Sequence, residues 1–254
     1  MTARLARTVS SAALVLLTAA CTNYYEIPIE TPIRPKLDVS AFQRVLVAGF
    51  VSGGTDDVDA NLETTRLLRS QLRTKSELRV IDTDVLPLMD VANESNSQGS
   101  GGSSATSTQA PIKDEKDLEP YERVFANVEY WKKVGEEYQQ PLIVTGTVMF
   151  TPHQRNSIVQ REEEVYDSFG RRRVVPVRTY MERKGYILRP KFIFIDGRSG
   201  TVMHSENFRE EILYNANQTT PALSSYFELM DRLIPSFLST LSSQKIKGTR
   251  ILLQ

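Results

Sequence analysis

Residues 44–50 read RVLVAGF, an apolar run closed by Gly53 and Gly54. A strand with one solvated face alternates apolar and polar residues. A run this continuous predicts a strand covered on both faces, as in the centre of a sheet flanked by helices. Just beyond it, Asp59 or Asn61 offers a cap for a helix bearing Leu62, Thr65, Leu68 and Leu72 on one face. Residues 78–81 then give a short strand closed by Asp82. A strand, a helix and a strand within about forty residues make a βαβ unit with parallel strands and a right-handed crossover.

Further along, Val124, Val128, Trp131, Val134 and Tyr138 recur at steps of three and four, so a second amphipathic helix is expected with Trp131 in the core. Residues 142–150 (LIVTGTVMF) form the next strand. The pattern then changes: residues 157–214 hold long extended segments with turn signals at Phe169-Gly170 and across residues 196–200, which predicts an antiparallel meander. Its longest member is a polar hairpin over residues 157–186. Pro221 opens a last helix with Leu223, Phe227, Met230, Ile234, Phe237 and Leu241 on one face, and Pro235 is expected to kink it. The fold class is therefore α/β: a mixed sheet with an N-terminal βαβ unit, an antiparallel meander with one long polar hairpin, and covering helices.

The chain has 254 residues, and its 31 basic and 31 acidic side chains balance. A pI near 6.8 does not suit a protein that coats nucleic acid, and a mean hydropathy of −0.31 does not suit a polytopic membrane protein. One cysteine, Cys21, makes neither an internal disulfide nor a thiolate zinc site. Its position explains it better. Arg4 and Arg7 precede an apolar run and the small residues Thr18, Ala19 and Ala20, the order of a secretory signal. The apolar run is far shorter than the roughly twenty residues of a spanning helix. A small-small-Cys ending resembles a bacterial lipobox, which implies palmitate-type acylation of Cys21; an ordinary cleaved signal beside a chance cysteine is the alternative. Thr22 in place of Asp implies the outer membrane, facing the periplasm. Removal of residues 1–20 leaves 29 basic against 31 acidic residues, a net charge of −2.

The domain reading follows. Residues 1–20 are the signal, residues 21–41 a lipidated tether with spaced Pro28, Pro32 and Pro35, residues 42–242 the periplasmic domain, and residues 243–254 a tail. Residues 92–117 enclose a Ser/Gly/Thr/Asn/Gln stretch with nothing to bury, expected to be a flexible insert.

Taken together, the lipobox, the tether, RVLVAGF, ETTRLLRSQL (63–72), ELRVID (77–82), PLIVTGTV (141–148) and FIFIDGRSGTVMHS (192–205) resemble one superfamily over residues 45–241. It holds the curli-secretion channel lipoproteins, the lipoprotein activators of penicillin-binding proteins and the N-terminal domain of the Tol-system propeller protein. The resemblance implies a lipid-anchored α/β domain with envelope-protein partners. Channel members insert hairpins into the outer membrane. Here Glu162, Glu163 and Glu164 are consecutive, and Arg171, Arg172 and Arg173 repeat the obstacle on the return strand. Either face would carry charge at a cost of about 2–4 kcal/mol each at mid-membrane.

These six residues are the candidate partner contact, with cross-strand charge pairing as the plainer account of them. His153 and His204 have no ligand-like spacing, so no metal or other cofactor is expected. Ser242 and Lys245 fit S-x-x-K without a companion motif, and the Gly99–Gly102 cluster lacks the Lys of a phosphate loop. The expectation is a non-enzymatic protein-binding factor in envelope assembly, secretion or regulation, without a nucleic-acid partner. The alternative is a subunit of an oligomeric curli-type secretion channel, with homo-oligomers possible in either case.

Overall fold

The computed structural model describes residues 24–97, 112–166, 168–215, 217–218 and 220–253. Their strands are β1 (Tyr24–Ile33), β2 (Arg44–Gly54), β3 (Arg79–Val80), β4 (Leu142–Tyr166), β5 (Arg172–Asp196), β6 (Val202–Asn207), β7 (Glu210–Asn215) and β8 (Gln244–Leu253). Helices of ten residues or more are α1 (Ala60–Lys75), α2 (Leu88–Ser97), α3 (Val128–Glu137) and α4 (Ala222–Leu241), with single helical turns over residues 115–126. The chain divides into two compact units, one of residues 36–242 and one formed by the two chain ends.

In the larger unit the sheet runs β3-β2-β4-β5-β6, with β7 also on β5. β2 is parallel to both β3 and β4, and the remaining pairs are antiparallel. The mixed sheet and βαβ unit expected from RVLVAGF are both present. β2 is buried on both faces because alternate residues feed two cores. Val45, Val47 and Phe50 meet α1 and α4 together with Phe192, Tyr226 and Phe237. Leu46, Ala48 and Val51 meet α2 and α3, with Trp131 and Ile193.

Asp59 caps α1 through Leu62 N–H (3.0 Å). Asn61 is used differently, accepting the Phe50 N–H at 2.8 Å beside a bulge between Val47 and Gly49. In the VTG stretch the Thr145 hydroxyl donates to the Gly49 carbonyl (2.9 Å), and Gly146 takes φ 145°. The second signature, ID-x-x-S-G-x-V, is likewise structural. Asp196 accepts the Arg198 N–H at 2.9 Å, and Gly200 has φ 74° where a Cβ would stand 2.2 Å from the Val128 carbonyl oxygen. Trp131 is fully buried and donates Nε1–H to the Val124 carbonyl at 2.8 Å.

Three expectations are altered. The helix expected from Val124 to Tyr138 is broken at Asn127, whose side chain caps α3 through Tyr130 N–H. Leu223 is exposed, because the buried face of α4 turns to Tyr226, Leu229 and Leu233. Pro235 lies within α4, which runs on to Leu241. The insert has ordered flanks: α2 reaches Ser97, Ala92 and Ile112 are buried, and Ile112 accepts the Gly54 N–H at 2.8 Å. Residues 98–111, the Ser/Gly heart of the insert, lie outside the described residues.

In the other unit β1 pairs antiparallel with β8 along its whole length. Pro28 and Pro32 do favour extended backbone, yet the tether and tail are strands of one ribbon. Pro is tolerated there because a two-stranded ribbon has only edges.

Candidate functional site

β4 and β5 are each 25 residues long, far longer than their neighbours. β2 supports β4 only to Phe150, and β7 supports β5 only from Arg183 onward. From Arg155 to Glu182 the two strands therefore pair, among the described residues, only with each other. Some thirteen residues of β4 at about 3.3 Å each make an arm of about 40 Å. The chain stays extended because Ile158, Val159, Val165, Tyr166, Val174, Val175, Val177 and Tyr180 favour strands, while the charges between them keep the ribbon solvated.

The register sorts the arm into two faces. Glu162 lies opposite Pro176, Glu164 opposite Val174 and Tyr166 opposite Arg172, all on one face. Glu163 lies opposite Val175 and Val165 opposite Arg173 on the other. Glu164 and Arg172 form an ion pair across a diagonal of the ladder, as the charge pattern suggested. Asp167, the acid before the tip turn, lies outside the described residues. The tip turn uses Gly170 at φ 74°, and the Arg171 guanidinium lies over the Phe169 ring, 5.3 Å from its centroid. Toward the base, Gln154 donates to Glu182 (2.6 Å), which also pairs with Lys184 (3.2 Å).

Sequence reasoning located the acidic and basic blocks and missed the apolar residues between them. Ile158, Tyr166 and Tyr180 are 71%, 67% and 63% exposed, and Phe169 at the tip is 81% exposed. A strand reading treats such residues as packing groups; the register shows that, among the described residues, no third strand pairs with the arm beside them. Neither face is continuously apolar. Arg178 interrupts the Ile158 face, and Arg161 and Glu163 interrupt the Val159 face. Among the described residues no strand pairs with either edge of the arm beyond β7, the arrangement through which a further strand can add.

Each histidine has a carboxylate neighbour. His153 Nε2 is 3.4 Å from Glu211, and His204 Nε2 is 3.5 Å from Glu206. His153 opens on a cleft of about 440 Å³ at the base of the arm, with Lys184, Tyr186 and Tyr214. No serine or cysteine is among the described residues lining that cleft. Glu206 also binds Lys36 and accepts the Thr240 hydroxyl at 3.0 Å, so that cluster links the chain before β2 to α4 and β6. Burial alone would raise the Glu206 carboxyl, but these hydrogen bonds and the Lys36 charge hold it below its ordinary value. The Ser242 hydroxyl of the S-x-x-K match donates to the Leu238 carbonyl at 2.9 Å. Among the described residues no three His, Cys, Asp or Glu side chains are grouped to hold a metal ion, and no helix is long and apolar enough to cross a membrane. Cys21 lies outside the described residues.

No protein-family model matches the chain, and no curated protein matches it. Among solved structures, the chain is similar to lipoprotein GNA1162 from Neisseria meningitidis, at 11% identity and TM-score 0.34, over 77% of this chain and 97% of that one. It is also similar to a homolog of a neuraminyllactose-binding hemagglutinin from Helicobacter pylori, at 11% identity and TM-score 0.33, over 85% of this chain and 92% of that one. At these scores neither likeness assigns a function to the chain.

Proposed function

We propose that the chain is an outer-membrane lipoprotein, anchored through Cys21, whose periplasmic domain binds other envelope proteins as a non-enzymatic factor in assembly, secretion or regulation. The observation that carries this reading is the arm. It combines exposed aromatic side chains, two open strand edges and flanking charge, the elements of a strand-addition or hot-spot surface. The lipobox and the superfamily resemblance supply the compartment. Partner binding by the arm needs no catalytic group.

The test compares crosslinked envelopes from cells making the full chain with those from cells making a variant lacking residues 154–184, His153 and Gly185 being joined by Asn-Gly. Those two residues are cross-strand partners, so a tight turn closes the shortened hairpin. A protein partner captured by the full chain and lost from the variant is the expected result. No reproducible partner, or the same partners from both, refutes the reading.

A second reading, a subunit of an oligomeric secretion channel, draws on the same open edges, along which neighbouring arms could align. Charge on both faces of the arm weighs against membrane insertion. Uniform rings in electron micrographs of detergent-extracted protein are the result that would favour it.

A further inference from the structure

Within its ribbon with β8, β1 is amphipathic, while β8 places Ile251 beside Glu26 on the opposite face. Alternate residues of a strand face opposite sides. Ile27, Ile29, Thr31 and Ile33 therefore share one face, and Glu26, Pro28, Glu30 and Pro32 share the other. Ile27, Ile29 and Ile33 are 43%, 39% and 45% exposed. Across the ladder, Ile27 is paired with Arg250 and Ile29 with Gly248, so an apolar row has a cation beside it. Lys247, on the opposite face, pairs with Glu30 at 3.9 Å. A two-stranded ribbon is marginally stable by itself, and exposed isoleucines are surface that a further layer would bury.

We infer that this face lies on the bilayer surface, with the isoleucine row dipping into the headgroup boundary and Arg250 near the lipid phosphates. Two features favour lipid over a second copy of the chain. The first described residue of β1, Tyr24, is three positions from Cys21, so acylation there would hold the ribbon within a few residues of the membrane. The register also brings Leu253, near the end of β8, opposite Tyr24, so both strands end on that side. The inference extends the lipoprotein reading given above. The ribbon then acts as a second membrane contact that fixes how the anchored chain leaves the bilayer, since interfacial binding scales with buried apolar area plus attraction to anionic lipid.

The test uses the chain without residues 1–20 and with Cys21→Ser, so lipidation plays no part. Sedimentation with phosphatidylethanolamine/phosphatidylglycerol vesicles is expected for this protein and reduced about tenfold or more in an Ile27→Ser/Ile29→Ser/Ile33→Ser variant. Because Cys21 is the only cysteine, Ile29→Cys and Glu30→Cys in this background each give one labelling site with the rest of the ribbon intact. A fluorophore at position 29 is expected to be quenched by spin-labelled lipid, and one at position 30 is not. No vesicle binding, equal quenching at both positions, or self-association abolished by the triple substitution overturns the inference. Palmitate labelling of the full chain against Cys21→Ala tests the anchor separately, so failure of the one is distinguishable from failure of the other.

Discussion

Gly146→Ala is the sharpest test of how β4 and β5 are joined. Gly146 has φ 145°, outside the range that side-chain-bearing residues readily adopt, and lies opposite Phe192 in the centre of the sheet. A Cβ there would sit 1.8 Å from the Lys191 carbonyl oxygen and 2.9 Å from its carbon. Ordinary contact is about 3.5 Å, so the methyl must displace backbone rather than a movable side-chain end. Backbone strain of about 1–3 kcal/mol and overpacking of about 1–3 kcal/mol together predict a loss near 3–5 kcal/mol. That is a large share of a usual 5–15 kcal/mol and is equivalent to about 8–15 °C in Tm for a unit of this size. Gly170→Ala is the internal comparison. Its φ is 74°, but nothing lies within 4 Å of the added Cβ, so only the conformational cost of about 1 kcal/mol remains. Urea unfolding of the lipid-free chain, followed through the fluorescence of fully buried Trp131, measures both. A Gly146→Ala midpoint as close to wild type as that of Gly170→Ala would refute the assignment of Gly146 to a backbone clash.

Trp131→Phe removes the bond to the Val124 carbonyl and leaves space between α3 and the sheet; circular dichroism should report a loss of about 2–4 kcal/mol. The Glu206 carboxyl is held below its ordinary value, so its contribution to stability is complete above about pH 5 and is lost as pH falls through the folded-state pKa. Glu206→Gln should therefore lower stability at neutral pH and flatten the acid limb of a Tm-against-pH curve; an unchanged limb would assign that sensitivity elsewhere. Reversing the exposed Glu164–Arg172 pair to Lys and Glu should change stability by less than about 0.5 kcal/mol while altering partner capture from envelopes.

Much of the fold is legible in the sequence because burial writes itself there. β2 needs apolar residues on both faces and shows them, and the core helices show steps of three and four. What is not legible is set by contacts distant in sequence. Gly135 reads as a weak point in a helix, yet a Cβ there would meet the Gly197 carbonyl oxygen at 1.7 Å, a contact that brings α3 against the β5–β6 turn. Asn61 reads as one of two candidate helix caps, but its side chain instead accepts the Phe50 N–H beside the bulge in β2. Arg69 looks like one more surface cation on α1, whereas its guanidinium donates to the Val47 carbonyl at 2.8 Å and the Thr83 carbonyl at 2.6 Å. The candidate site was half legible: a charge triplet is visible as letters, but an exposed tyrosine and a buried one are the same letter.

The arm and the terminal ribbon share one physical situation, and it links the two proposals. Each pairs two strands with no third strand beside them among the described residues, and each carries exposed apolar side chains that a monomer gains nothing by exposing. A two-stranded ribbon that served only as a spacer would be better made of the Ser/Gly composition seen in residues 98–109. The apolar positions instead follow two different designs. On the arm they are aromatic and interrupted by both signs of charge, which suits a protein surface of matching pattern. On the terminal ribbon they are aliphatic, with the β1 isoleucines in one row beside a cation and Ile251 on the other face, a pattern without aromatic anchors that suits a flat, anionic lipid surface. The two ribbons should therefore fail independently. Substitutions in the isoleucine row should leave partner capture by the arm intact, and excision of the arm should leave vesicle binding intact. Loss of both functions from either change would mean that one surface, not two, carries the binding.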